Sequence, residues 1–317
     1  MTFLSSSVFN LTLFFFSFFI AGPLPVLSQA CKSSCGDLPI RYPFGTGPGC
    51  GDPRFQNFVT CKCDSPQGRE RLVLTAASGS YTIQWIDYGN HIIYIQDPTI
   101  STCSCMQPSR GFALDWSAPF SFPENTVFAL LGCSVTASPV FNNSFNNNFK
   151  KNNAPLCDVS GGPICSQIYA CPAVVGLNLP LYSPASSCCV YSPVDLGPSF
   201  DMDLKKLQCE SYTAVIDFDY RQLDAAKWKY GIALKYRFSV NNVYPLSCLQ
   251  CENSNGVCGY VGSYNSFACN CPFGVTTSTD CSFQESFWSH GVKSNNIPRV
   301  FTGFIMYLVL ELVILLN

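Results

Sequence analysis

The pattern of apolar and polar residues in positions 81–96 (YTIQWIDYGNHIIYIQ) predicts two short antiparallel β-strands. Polar and apolar positions partly alternate, and Gly89-Asn90 between the two halves is typical of a tight hairpin turn. In that register Trp85 lies opposite Tyr94, and both faces of the pair are substantially apolar. We therefore expect this strand pair inside a sandwich or closed sheet, with Trp85 and Tyr94 in the core. A sugar-stacking platform is the alternative interpretation.

The same pattern predicts further short elements, which frequent glycine and proline residues (22 of each) keep short. Strand-like runs occupy residues 71–76, 127–135, 212–218 and 232–240. Residues 203–209 and 222–230 are good helix formers, and Gly231 is well placed to end the second helix. The predicted fold is mainly β and disulfide-rich, with two small β-rich lobes, the second carrying one or two short helices, and a final compact EGF-like block of six cysteines.

An Asn-rich segment divides the chain. Residues 142–153 contain seven Asn in twelve positions and cannot build a packed core, so we interpret them as an exposed linker. They separate a first lobe (31–141) from a second lobe (154–247), which is followed by the cysteine block (248–281). Asn142 begins a glycosylation sequon within the linker, and we expect it to be glycosylated.

The two ends resemble targeting segments. Residues 1–30 contain no charged side chain, and an apolar run is followed by small residues just before Cys31, as in a secretory signal peptide. Residues 301–317 form an apolar tail interrupted by Glu311, after a spacer at 282–300. This layout is that of a GPI attachment signal with Ser289 as the candidate anchor site; a short membrane helix and a truncated product are the alternatives. All three place the cysteine-rich region outside the cell.

The chain has 20 cysteines, an even number typical of disulfide bonding in an oxidising compartment. They permit up to ten bridges, and the sequence does not choose among the pairings. Zinc is a weaker interpretation, because the only histidines are His91 and His290. The predicted disulfide cysteines are Cys31, Cys35, Cys50, Cys61, Cys63, Cys103, Cys105, Cys133, Cys157, Cys165, Cys171, Cys188, Cys189, Cys209, Cys248, Cys251, Cys258, Cys269, Cys271 and Cys281.

The charged residues favour a protein that binds an acidic ligand other than through catalysis. With 18 basic and 20 acidic residues the formal net charge is −2, which argues against a nucleic-acid partner. We find no catalytic motif that combines a nucleophile, a general base and a group that orients the base. We therefore expect neither an enzyme nor a bound metal. Five cations lie close together in the first lobe among aromatic residues, and arginine suits carboxylate ligands. The candidate binding residues are Arg41, Tyr42, Phe44, Arg54, Lys62, Arg69 and Arg71.

Two stretches resemble a known family. The run CKSSCGDLPIRYPFG at 31–45, followed by GCGDPRF at 49–55 and Cys61, is similar to the galacturonan-binding domain of plant wall-associated receptor kinases. The run WKYGIAL at 228–234, with the cysteine pattern from Cys248 to Cys271, resembles the C-terminal ectodomain module of the same family. Together the resemblance covers about residues 31–281.

The resemblance implies an extracellular protein that binds pectin, a polymer of galacturonic acid, at the plant cell wall. Arg41, Arg54 and Lys62 would then contact sugar carboxylates, with no cofactor except that calcium could bridge protein and pectin. Kinase motifs are not found in this sequence, so we expect a kinase-less protein tethered at the outer face of the plasma membrane. A co-receptor or decoy that binds another receptor ectodomain or a secreted peptide is the alternative.

Overall fold

The computed structural model describes residues 31–63, 68–141, 157, 161–175, 187–193, 202–238 and 241–282. The predicted signal peptide, the Asn-rich linker with Asn142, the candidate anchor site Ser289 and the apolar tail at 301–317 lie outside these residues. Within the described ranges, every helix is too short or too polar to traverse a bilayer.

Strands dominate the described residues, which confirms the predicted mainly β class. The strands are β1 (Ser34–Cys35), β2 (Leu38–Pro39), β3 (Val59–Cys63), β4 (Glu70–Ala76), β5 (Gly79–Asp87), β6 (Ile92–Gln96), β7 (Phe120–Ser121), β8 (Val127–Leu131), β9 (Cys189–Tyr191), β10 (Ser211–Ile216), β11 (Lys229–Tyr230), β12 (Ile232–Tyr236), β13 (Val257–Val261), β14 (Ser266–Asn270) and β15 (Thr276–Thr277). The helices are α1 (Pro53–Gln56), α2 (Gly162–Tyr169), α3 (Pro172–Val175), α4 (Leu204–Leu207) and α5 (Leu246–Asn253), and 3₁₀ turns lie at Pro139–Phe141, Ala225–Lys227 and Pro272–Gly274.

Two larger antiparallel sheets form the body of the protein. The first has six strands in the order β3-β4-β5-β6-β12-β7, and the second has four in the order β11-β10-β8-β9. The cysteine block contributes a three-stranded sheet, β13-β14-β15. Between the two larger sheets lies an apolar core that includes Leu72, Leu74, Ile83, Phe128 and Leu234, all of them almost fully buried. Each such side chain stabilises the fold by about 1.5–3 kcal/mol relative to an exposed position.

The structure differs from the predicted division into two lobes. Strand β12 pairs with β6, and β10 pairs with β8, so each larger sheet contains strands from both sides of the Asn-rich segment. Strands β10 and β12 are too apolar on their inner faces to stand alone, and they bury those faces by completing sheets begun earlier in the chain. The Asn-rich segment therefore joins two parts that share their sheets.

The local predictions are confirmed in part. The hairpin, with Trp85 opposite Tyr94, and a helix after Asp203 are present. Asp203 caps α4 by accepting hydrogen bonds from the backbone N–H groups of Lys205 and Lys206. The helix predicted at 222–230 is wrong: these residues form a 3₁₀ turn at Ala225–Lys227 and then β11. Pairing with β10 outweighs the intrinsic helix preference there, as tertiary contacts often do.

Nine disulfides link the described cysteines, and the predicted pairing of all 20 needs correction. Cys63 and Cys105 are unpaired and exposed. In each Cys-x-Cys pair of the first 141 residues only one member meets a partner: Cys61 reaches Cys35, and Cys103 reaches Cys171. The nine bridges are Cys31–Cys50, Cys35–Cys61, Cys103–Cys171, Cys133–Cys209, Cys157–Cys189, Cys165–Cys188, Cys248–Cys258, Cys251–Cys269 and Cys271–Cys281.

The two thiols give a direct test of the bridge pattern. Treating the native, non-reduced protein with N-ethylmaleimide should label Cys63 and Cys105, because both are exposed. Peptide mapping by mass spectrometry should find the label at these two positions, and the variant Cys63→Ser/Cys105→Ser should take up none. Complete absence of label in the wild-type protein would mean that the two thiols are bridged after all.

Candidate functional site

The aromatic residues of the Tyr-Pro-Phe-Gly segment lie in the core. Tyr42 and Phe44 are only 3% and 1% exposed. The Tyr42 hydroxyl donates to Asp52 Oδ2 at 2.8 Å, and its ring stacks on Phe238 with centroids 5.8 Å apart. The Phe44 ring packs edge-on against Tyr236 at 4.9 Å. The prediction that Tyr42 and Phe44 contact a ligand is therefore corrected, because their burial leaves no ring face open to one.

This segment instead holds the cysteine block against the first sheet. Glu252 of α5 accepts hydrogen bonds from the Tyr42 backbone N–H (3.2 Å) and the Tyr244 hydroxyl (2.5 Å). The Gly51 N–H donates to the Cys258 carbonyl oxygen at 2.8 Å. A Cβ added to Gly259 would lie 1.8 Å from the Gly49 carbonyl oxygen, so the two backbones approach too closely for any larger residue. The segment thus has a structural role.

Arg54 and Arg41 are engaged by neighbouring groups. Arg54 forms an ion pair with Asp52, with Nη2 2.6 Å from Oδ2 and Nε 3.1 Å from Oδ1, and it also donates to the Phe238 carbonyl oxygen. Arg41 is exposed, and its guanidinium lies 5.9 Å from the centre of the Tyr88 ring. These two cations, although close in sequence to Lys62, have local partners away from the strand that carries it.

The carboxylate of Asp52 is buried within this network. Burial alone would raise the pKa of Asp52, but hydrogen bonds from Arg54 and Tyr42 outweigh it and hold the pKa below its ordinary value. Burial also raises the pKa of Tyr42, with a further contribution from its hydrogen bond to Asp52. The Arg54–Asp52 pair therefore stabilises the packing of Tyr42.

Lys62 and Arg71 meet on the outer face of the six-stranded sheet. They are opposite each other in the β3–β4 register, and both are exposed. Their neighbours Cys61 and Leu72 point to the other face, because successive side chains on a strand alternate. Arg69 is also exposed but precedes β4. Of the seven predicted binding residues, the structure thus brings Lys62 and Arg71 together on this face.

Trp85, which is exposed, and Tyr94, which is half-buried, form an aromatic pair on the same face. The rings are stacked with centroids 4.9 Å apart and an interplanar angle of 14°, and Trp85 is 55% exposed. The β5–β6 register shifts between Ile83 and Trp85, so Gln84 and Trp85 are both exposed in succession. The expectation that this pair lies in the core is corrected, since the irregularity turns Trp85 outward.

Two further cations extend this face on β12 and just beyond it. Lys235 and Arg237 are exposed and alternate with the buried residues Leu234 and Tyr236. Both line a cleft of about 380 Å³ that also includes Tyr94. The opposite wall contains Glu124 and Asp217, and Asp217 pairs with Lys229 at 3.1 Å. Sequence reasoning missed Lys235 and Arg237 because they come from a distant part of the chain, although the alternation around them indicated an exposed face.

We call the set Lys62, Arg71, Trp85, Tyr94, Lys235 and Arg237 the outer sheet face. Lys62 pairs with Arg71, Trp85 with Tyr94, and Tyr94 with Ala233 of β12. The face therefore runs across neighbouring strands, from β3 to β12, rather than along one of them. Four spacings of ~4.8 Å give it a length of about 19 Å, with cations at both ends and an aromatic pair between them.

Three cysteine sulfurs also lie together, within 4.8 Å of one another, at Cys269, Cys271 and Cys281. Each belongs to a disulfide, so none of them offers the thiolate that a metal ion would need.

The fold and this face define a disulfide-rich β protein with an exposed cationic and aromatic surface. Residues 31–97 match the model described as wall-associated receptor kinase galacturonan-binding, and residues 194–274 match the one described as wall-associated receptor kinase C-terminal. The chain therefore carries matches to two ectodomain modules of wall-associated receptor kinases. No kinase region is matched.

Wall-associated receptor kinases are also among the curated relatives that the chain matches. The chain is 25% identical to wall-associated receptor kinase 5 of Arabidopsis thaliana over 55% of this chain and 23% of that protein. It is 31% identical to wall-associated receptor kinase-like 20 of the same plant, over 42% of this chain and 20% of the relative. It is 28% identical to the putative RING-H2 finger protein ATL21B, over 55% and 47%. The chain thus spans less than half the length of each of these relatives. No solved structure matches it.

The Asp52–Arg54 pair predicts how stability depends on pH. Because the folded-state pKa of Asp52 lies below its ordinary value, its contribution is complete above about pH 4 and is lost as the pH falls through the folded-state value. Asp52→Asn should lower the free energy of unfolding at pH 7 by about 1–3 kcal/mol, and this difference should shrink as the pH approaches 2. Urea denaturation across this pH range measures it.

Asp219→Asn is the matched control, because Asp219 also pairs with an arginine but is exposed. Its effect should be small at every pH, since water screens the pair. If Asp52→Asn lowers the free energy of unfolding by the same amount at low pH as at pH 7, the stabilisation does not come from the charged carboxylate.

Proposed function

We propose that this protein binds galacturonan, the acidic polymer of pectin, on the outer sheet face. The observation that carries the proposal is the Trp85–Tyr94 stack at the surface, which lies on the same face of the sheet as Lys62 and Arg71. All four residues fall within the segment that matches the galacturonan-binding family model. The match supports the ligand class, and the geometry supports the place where the ligand would bind.

The chemistry of the face suits an acidic polysaccharide. A pyranose ring presents an apolar C–H surface that can lie on the flat face of an indole or a phenol ring. Each galacturonate also carries a carboxylate, for which the planar guanidinium of Arg71 and the ammonium of Lys62 are suitable partners. Because the cations lie at both ends of a face about 19 Å long, several consecutive sugars would be engaged at once.

The proposal also accounts for how the two family modules meet. Lys235 and Arg237 belong to the segment that matches the C-terminal module, and the pairing of β12 with β6 brings them beside Tyr94. We propose that both modules contribute to one binding surface at the cell wall. The bridges support an extracellular location reached through the secretory pathway, which agrees with the proposed signal peptide and membrane tether.

A second candidate is an interaction protein that binds another ectodomain or a secreted peptide. Three apolar residues in α5 and just before it are exposed: Val243, Leu246 and Leu249, at 65%, 67% and 45%. Leu246 and Leu249 are three residues apart on α5, so they lie on the same side of that helix. A glycan array probed with the secreted protein separates the two candidates, because only the first requires a preference for acidic sugars.

Retention on immobilised polygalacturonate tests the first candidate. Trp85→Ala should weaken binding about tenfold or more, because exposed aromatic residues at the centre of a binding surface contribute strongly. Lys62→Gln/Arg71→Gln should weaken it and reduce its dependence on salt, since ions screen carboxylate pairing. Trp116→Ala and Lys205→Gln/Lys206→Gln are matched controls, because these residues are exposed, do not belong to the outer sheet face as defined, and should leave binding unchanged.

Equal retention of Trp85→Ala and the wild-type protein would remove the outer sheet face as the site. A calcium chelator provides a separate arm of the same experiment. Loss of binding on chelation alone, with no effect of Lys62→Gln/Arg71→Gln, would show that calcium bridges the carboxylates instead.

A further inference from the structure

A second concave site lies at the end of the six-stranded sheet, away from the outer sheet face. It is a cleft of about 470 Å³ between the β4–β5 turn, the residues that follow β6, and the segment 108–111. Ser80, on its rim, precedes Trp85 by five residues on the same strand, which corresponds to about 16 Å. A ligand in this cleft would therefore be separate from one stacked on Trp85.

Hydroxyl groups and one carboxylate line the cleft. Asp97 is 4% exposed, and its Oδ1 accepts hydrogen bonds from the Thr99 N–H (2.7 Å) and hydroxyl (2.8 Å). The hydroxyl of Tyr212 donates to Oδ2. The Thr99 hydroxyl also lies 2.7 Å from the Ser109 hydroxyl. These hydrogen bonds hold the Asp97 side chain almost fully buried beneath the cleft, whereas Ser80 is exposed on the rim.

The walls of the cleft are held in place by the surrounding backbone. Gly111 has a φ of +95°, and a Cβ there would lie 1.7 Å from the Met202 carbonyl oxygen. The Leu204 N–H donates to the Arg110 carbonyl oxygen at 3.2 Å, which fixes this wall to α4. On the opposite wall the Ser78 hydroxyl accepts from the Ala113 N–H at 2.9 Å. Preformed walls reduce the ordering that a ligand would otherwise have to impose.

The charges in the cleft balance. Arg110 is exposed on the rim and brings one positive charge, and Asp97 at the base brings one negative charge. The exposed rings of Pro98 and Pro108 add apolar surface. This combination of a few directed polar groups with apolar walls is typical of a small-ligand site. An anionic sugar would be attracted by Arg110 but repelled by Asp97. A neutral sugar would not be repelled by Asp97.

We propose that this cleft binds a neutral saccharide unit. Its hydroxyl groups would form hydrogen bonds with the Ser80 hydroxyl and accept from the Arg110 guanidinium, and its C–H surface would lie against the proline rings. The proposal goes beyond the binding of acidic polymer by the outer sheet face, because it concerns a different place and an uncharged ligand. It would allow the protein to contact two kinds of wall sugar at once.

Saturation-transfer NMR on the secreted full-length protein tests this proposal with a panel of neutral hexose and pentose oligosaccharides as probes. At least one probe should give transfer signals that persist when the salt concentration is raised, because no net charge drives binding. Ser80→Trp should fill the cleft and weaken this binding at least tenfold. Ala77→Trp is the matched control, because Ala77 is exposed in the same turn but does not line the cleft.

Thermal unfolding of both tryptophan variants shows whether they are folded, and Arg110→Gln supplies a second, milder test that should also weaken binding. Failure of every neutral probe to bind the wild-type protein would overturn the proposal. Equal weakening by Ala77→Trp and Ser80→Trp would also overturn it. Loss of the signals in Trp85→Ala but not in Ser80→Trp would place the neutral sugar on the outer sheet face instead. That result would contradict sugar binding in the cleft without bearing on galacturonan binding.

Discussion

The pairing of β12 with β6 is the interaction on which the rest of the structure depends. It joins residues more than a hundred positions apart in the chain and completes the six-stranded sheet. On the inner face it places Ile232, Leu234 and Tyr236 in the core, where each is fully buried. On the outer face it brings Lys235 beside Ile92 and Tyr94. The same hydrogen-bonded ladder thus stabilises the fold and assembles the surface that we propose binds galacturonan.

The aromatic residues divide into two groups with different roles. Tyr42, Phe44 and Tyr236 pack edge to face or stack within the core, and Glu252 ties this cluster to the cysteine block. Trp85 and Tyr94 stack on each other at the surface, with Trp85 exposed and Tyr94 half-buried. A residue motif that identifies the family can therefore be structural, while the surface available to a ligand is formed by less distinctive residues.

The sequence allowed the class of fold and the hairpin at 81–96 to be predicted, because alternation and turn residues are local signals. It did not allow the exposure of Trp85 to be predicted, because that depends on a register shift that displaces one side chain. It also did not allow us to predict that Lys235 shares a sheet face with Lys62 and Arg71, because strand order is set by tertiary packing. The grouping of Arg41 and Arg54 with Lys62 failed for a related reason: closeness in sequence does not place residues on one face when a short helix and a turn lie between them.

Hydroxyl-radical footprinting with and without oligogalacturonate tests the central claim most directly, because it reports the solvent exposure of individual side chains. The account predicts that the oligosaccharide protects Trp85 and Tyr94 from oxidation. Trp116 and Tyr264, which are 82% and 92% exposed and do not belong to the outer sheet face, should be oxidised at the same rate with and without it. Unchanged oxidation of Trp85 and Tyr94 at a concentration that saturates binding would contradict the account.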